Sequence, residues 1–198
     1  MNALRSTAAA VLALLCLTCV VFLPIEHTKA GSDKIAFPSN YQSGVLYTIA
    51  DRSDLKEYRE MWTSPEAIEA AKANKPLPYG TVITHVAYKA LTDAQGIPLL
   101  DHNGRFIKSD LLFYFVMEKR AGWGAEYPAD LRNGEWEFSM FKPDRTFNDK
   151  ANINACMTCH KPHEQLDFVK SYKAMGGARI ATNPSPISPG AVVATILG

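Results

Sequence analysis

Five consecutive residues, Cys156-Met157-Thr158-Cys159-His160, constrain this 198-residue chain more than any other stretch. Two thiols three positions apart share one face of a helical turn, and a histidine follows directly. C-x-x-C-H is the signature of covalent c-type haem attachment. The two thiols reach the two vinyl groups on one edge of a porphyrin and form thioethers. His160 then falls beneath the iron as an axial ligand, donating a neutral imidazole nitrogen. A thioredoxin-like redox pair or a structural disulfide would use the same two cysteines, but no βαβ pattern surrounds them.

The N-terminus fits that chemistry, which is carried out on the far side of the cytoplasmic membrane. Arg5 precedes an apolar run from Ala8 to Leu23, and Thr28-Lys29-Ala30 supplies small residues at the spacing signal peptidase reads. The run is about 16 residues, short of the roughly 20 needed to cross a bilayer as a helix. We therefore expect a signal peptide over residues 1–30, cleaved after Ala30, and a periplasmic mature chain. Cys16 and Cys19 lie inside the apolar run and are followed by Val20, so only the haem-motif cysteines remain. The roughly 168 residues left suit one domain with a buried core. With 21 Lys and Arg against 20 Asp and Glu, scattered along the chain, no nucleic-acid or polybasic membrane footprint is present.

Ser64-Pro65-Glu66 reads as an N-cap, a first-turn proline and an early acid, and predicts a helix that continues from Ala67 to Asn74 and stops before Pro76. Residues 81–91, 111–118 and 135–141 are rich in β-branched and aromatic side chains and read as strands. Asp101-His102-Asn103-Gly104 has hairpin-turn chemistry, and 121–134 reads as a longer loop. Residues 150–175 carry helical spacing, which puts the cysteine motif on a helical segment at the sheet edge. Three prolines within ATNPSPISPG mark residues 181–198 as a tail, leaving a domain over 31–180.

The mature chain also resembles the cytochrome P-460 and cytochrome c-prime-beta family. The matching pieces are Phe37-Pro38-Ser39-Asn40-Tyr41, Gly80-Thr81-Val82-Ile83, Trp136 with Phe138 and Phe141, the haem motif, and Asp167-Phe168-Val169. They occur in order over residues 35 to about 175. The resemblance implies a mostly β-sheet haem protein that works as a homodimer. Cytochrome P-460 proteins oxidise hydroxylamine, or bind and oxidise nitric oxide, at a five-coordinate haem with a lysine cross-link. The c-prime-beta relatives bind nitric oxide and carbon monoxide in an apolar pocket.

At the position of the cross-linking lysine this chain carries His85. Lys89 points the same way on a regular strand but lies roughly 13 Å farther along, a poor substitute. An ungapped placement puts the family's distal acid at Tyr114, with Glu118 on the same strand face. Three roles are open to His85: iron ligand, hydrogen-bond partner of a bound ligand, or packed core residue. Met117, Met140 and Met175 read as core more readily than as axial ligands. Phe113 and Phe115 share one strand face and Tyr114 takes the other, so only one of those faces lines the haem. Trp123 either closes the pocket or anchors its loop, His102 belongs to a turn, and His163 reads as a surface or propionate neighbour.

The expected fold is α+β: a curved antiparallel sheet of about five strands with flanking helices and one covalent haem c between the sheet and the C-terminal helical segment. The expected function is binding, with oxidation or reduction as its enzymatic version, of a small nitrogen oxide or diatomic ligand. The different-class alternative is a bis-histidine electron-transfer cytochrome using His160 and His85, with an unidentified redox partner protein.

Overall fold

A computed structural model describes residues 31–179, so the signal peptide over 1–30 and the tail over 181–198 lie outside the described residues. Five strands form one antiparallel sheet in sequence order: β1 (Val45–Arg52), β2 (Glu57–Thr63), β3 (Val82–Ala90), β4 (Lys108–Lys119) and β5 (Trp136–Phe141). Among the described residues three α-helices accompany it, α1 (Pro65–Lys72), α2 (Ile153–His160) and α3 (Tyr172–Gly176), with short 3-10 turns between elements. This is the α+β architecture expected. No helix among the described residues is long and apolar enough to cross a membrane.

Helix α1 begins where its chemistry dictates: the Ser64 hydroxyl accepts the Ala67 N–H at 3.3 Å, and Pro65 occupies the first turn. It ends at Lys72, with Asn74 taking a left-handed φ of 53° two residues later. Ala67, Ile68 and Ala71 form its buried face. The expected strands over 81–91, 111–118 and 135–141 correspond to β3, β4 and β5. Strands β1 and β2 had no counterpart among the elements read from sequence. Charge hides β2, because three of its seven residues are Glu57, Arg59 and Glu60. The fold accommodates these by pairing: Arg59 Nη2 lies 2.6 Å from Glu57 Oε2, and Lys108 Nζ lies 2.6 Å from Glu60 Oε1.

Hydrophobic residues pack on both faces of the sheet. On the front face Ile83, Met117, Trp136 and Phe138 meet Ile68 of α1, Met157 of α2 and Met175 of α3. On the back face Val86, Tyr114, Val116 and Phe141 pack with Ile35 and Trp123, and Phe37 and Tyr41 cover them. Trp123 is therefore a loop anchor in the back-face core. Met117 and Met175 are core residues as expected.

Residues 161–176 return the chain to its beginning. The Tyr47 hydroxyl shares a 2.8 Å hydrogen bond with Ser171 Oγ, and the Tyr172 hydroxyl donates to the Lys75 carbonyl at 2.6 Å. Helices α1 and α3 approach closely at Gly176, where a Cβ would sit 3.2 Å from the Ala71 carbonyl oxygen. The space that remains between α2 and the front of the sheet is a cavity.

Candidate functional site

The cavity has a volume of about 540 Å³, within the roughly 300–1,000 Å³ typical of cofactor and ligand sites. Strand alternation and register decide what faces it. Met61, His85, Phe115 and Met140 are successive cross-strand partners on β2 to β5, and all four line the cavity. From the opposite element, α2, come Cys156, Cys159 and His160. Arg52, Arg59 and Lys170 add positive charge to the lining.

Helix α2 starts at Asn152, whose side-chain oxygen accepts the Ala155 N–H at 3.2 Å. It is fastened to the 131–134 loop by Asn133, which donates to the Met157 carbonyl at 3.1 Å. Directly after the helix, Lys161 donates to the Arg132 carbonyl at 2.7 Å. Both motif cysteines are free thiols; Cys156 is half-buried, and burial pushes its thiol pKa up, whereas Cys159 is exposed.

His160 Nδ1 is 2.7 Å from the Phe168 carbonyl oxygen. A carbonyl only accepts, so Nδ1 carries the hydrogen and donates it. In the neutral ring Nε2 then holds a free lone pair, the tautomer a metal ligand needs. Burial holds His160 below the usual histidine range, which favours that neutral form. The Phe138 ring fixes the imidazole plane, with centroids 4.9 Å apart.

His85 sits across the cavity lining from α2, half-buried as a residue, with its Nε2 sealed from solvent and lacking a hydrogen-bond partner within the protein. Its pKa is pushed down to about 3, first by burial and then by the nearby Arg59 charge. The ring is therefore neutral near pH 7. An unpaired buried nitrogen beside a cavity is unusual, since leaving one unsatisfied costs about 1–3 kcal/mol. A group bound in the cavity would meet it. Two thiols and an oriented neutral imidazole on one wall, with an orphaned imidazole nitrogen in the sheet, fit a covalently held haem. Among the described residues no three His, Cys, Asp or Glu side chains are arranged to hold a metal ion by themselves.

Tyr114, the other residue expected to act here, is elsewhere. Antiparallel pairing sets His85 opposite Phe115 and Val86 opposite Tyr114, and successive strand residues point to opposite faces. Tyr114 is consequently buried in the back-face core, with its ring 4.9 Å from Phe37 and 5.9 Å from Tyr41. Glu118, on the same face, pairs with Arg120 at 2.6 Å. Lys89 is exposed and stands opposite Glu57 in the ladder. Met140 is a cavity-lining residue as well as a strand residue. His102 is exposed and His163 half-buried, and neither lines the cavity.

Sequence reasoning missed Arg59, whose guanidinium stands 6.0 Å from the centre of the Phe115 ring and faces the same cavity as His85. Its strand carries no clean period-2 signal, because charge falls on both faces, Glu57 and Arg59 on one and Glu60 on the other.

A family model described as Cytochrome P460 matches residues 38–171. That span runs from just before Asn40 to Ser171 and so contains all five strands and the C-x-x-C-H helix. No curated protein matches the chain.

Proposed function

The chain belongs to the cytochrome P460 family of haem-binding proteins, and from that premise we propose an exported monohaem c-type cytochrome that binds a small nitrogen oxide or diatomic molecule. Cys156 and Cys159 would hold the haem through thioethers, and His160 Nε2 would ligate its iron. The observation that carries this reading is that one cavity receives Cys156, Cys159 and His160 from α2 and His85 from the sheet. When bound, the haem supplies an iron centre that takes up the small molecule and exchanges electrons with it.

The protein's own contribution is orientation, exclusion of water and one hydrogen-bonding group. His160 is held in a single tautomer by the Phe168 carbonyl. Met61, Phe115 and Met140 make the sheet wall largely apolar around His85. A neutral His85 can donate a hydrogen bond to a polar diatomic or accept one from hydroxylamine. Burial first, and then Arg59, kept near by Glu57, lower the basicity of His85 and favour the neutral form. Turnover of hydroxylamine is the enzymatic extension of this reading, without a lysine at the position of His85. Exposure of Cys159 leaves the motif edge accessible to a redox partner.

One observation favours a second reading. Burial lowers the pKa of both His85 and His160, which favours the neutral rings, and both line the same cavity, as two histidine ligands of one iron would. Optical spectra of the purified protein, with and without nitric oxide, separate the two. A high-spin spectrum that responds to nitric oxide supports ligand binding. A low-spin spectrum that becomes high-spin in His85→Ala establishes the carrier. Acid-acetone extraction tests covalent attachment directly, and release of the pigment overturns it. Export is tested by the mass of the mature protein, which should begin at Gly31 and be recovered from the periplasm; a haem-loaded chain starting at Met1 in the membrane refutes it.

A further inference from the structure

We infer that Lys119 and Asp167 are positioning residues for His160, acting through the Phe168 carbonyl; this rests on His160 being the iron ligand. The starting observation is backbone conformation. Asp167 and Phe168 are consecutive non-glycine residues with φ of 54° and 60°, a left-handed geometry that L-residues adopt only when their surroundings impose it. The reversal turns the chain after the Lys161–Leu166 3-10 turn and aims the Phe168 carbonyl back at His160 Nδ1.

An ion pair, a backbone hydrogen bond and a steric contact impose it. Lys119 Nζ, at the end of β4, donates to both Asp167 carboxylate oxygens at 2.9 and 2.8 Å, and also to the Leu77 carbonyl at 3.0 Å. Asp167 Oδ2 accepts the Leu77 N–H at 2.8 Å. Both charged side chains are nearly buried, at 10% and 14% exposure, so the pair is shielded from the screening that makes surface ion pairs weak. Phe168 itself is wedged against Gly134, where even a Cβ would lie 2.9 Å from the phenyl ring. The carbonyl that orients the imidazole is thus tied to the sheet by an ion pair and to the 131–134 loop by a steric fit.

The arrangement ties the hydrogen-bond strength at His160 to an ion pair that touches neither the motif nor the cavity lining. A firmly held acceptor makes the imidazole a stronger donor to iron. The test is resonance Raman measurement of the ferrous iron–histidine stretch together with the midpoint potential, in the holoprotein and in Asp167→Asn, Lys119→Gln and Lys119→Arg. The inference expects Asp167→Asn and Lys119→Gln to lower the stretching frequency and raise the potential, and Lys119→Arg to keep both near the parent values. Should Asp167→Asn fail to accumulate, the contrast between Lys119→Gln and Lys119→Arg decides on the same two readouts. Variants that melt at lower temperature yet keep the parent frequency and potential reduce the pair to a structural role and overturn the inference. A five-coordinate ferrous parent without an iron–histidine band overturns the ligand assignment as well, so the two failures are told apart in the unsubstituted protein; in a six-coordinate parent, where that band is absent whatever the ligand, the midpoint potential decides.

Discussion

Two neighbouring rows of the same sheet, one residue apart on every strand, have opposite fates. On the back face Glu60, Val86, Tyr114 and Phe141 are cross-strand partners on β2 to β5, and each is no more than 5% exposed. On the front face Met61, His85, Phe115 and Met140 stand in the same ladder, and each is only half-buried because the cavity lies against it. The back row is closed by aromatic edge contacts, including Phe37 against Phe141 at 5.4 Å. The front row ends in open space and an unpartnered imidazole nitrogen. The front face carries a core of its own beside this row, around Ile83, Met117, Trp136 and Phe138, so incomplete packing is confined to the stretch that the cavity occupies.

The difference can be tested from both sides. The largest effect belongs to the wall facing the front row: replacing Cys156 and Cys159 together with alanine should abolish covalently held pigment, read by absorbance after denaturing electrophoresis, with the polypeptide still present. Next comes packing. Phe141→Ala in the back row should cost about 3–5 kcal/mol in denaturant unfolding, as for a fully buried phenylalanine, whereas Phe115→Ala in the front row should cost less than about 3 kcal/mol because part of its ring already lacks neighbours. Equal losses would break the contrast between the rows.

A third test uses acid. His85 has a folded pKa near 3, below the ordinary value of 6.5, so between those values the unfolded chain binds the additional proton. Stability should fall as pH drops from about 6.5 toward 3, with this residue contributing at most about 1.4 kcal/mol per pH unit. His85→Leu should remove that share of the slope; an unchanged slope would show that the imidazole is not buried neutral. The smallest effect concerns ligand chemistry. Loss of one hydrogen bond, about 0.5–1.5 kcal/mol, predicts a threefold to tenfold faster nitric oxide dissociation in His85→Ala. Tyr114→Phe, on the far side of the sheet, should leave that rate unchanged, and a response equal to that of His85→Ala would mean the two faces communicate.

The parts of this molecule that were legible in the sequence are those written in local patterns. The C-x-x-C-H spacing identifies α2 and its three chemical groups, and the β-rich runs locate β3 to β5. His85 was reached through the resemblance, and the structure places it at the cavity. What could not be read depends on pairing between distant segments. The error at Tyr114 is one residue of register: Phe115, its neighbour, stands opposite His85. Strand β2 escaped notice because its charges find partners across the sheet, such as Lys108 for Glu60, 48 residues away. Likewise nothing near Asp167 in the chain announces that Lys119 and Leu77 are its partners.

The strand order also has a kinetic meaning. Every strand pairs with its predecessor in the chain, so the sheet is assembled from short-range hairpins, the kind of contact that forms early. The hydrogen bonds that seat the segment after α2 span 90, 97 and 124 residues, and loop closure over such distances is entropically costly. The sheet should therefore be in place first, with the motif helix and the turn behind it docking last. Until that step the two cysteines stay outside the closed fold, where, on the function proposed above, they would be reachable for haem attachment before docking shuts the group against a wall already built.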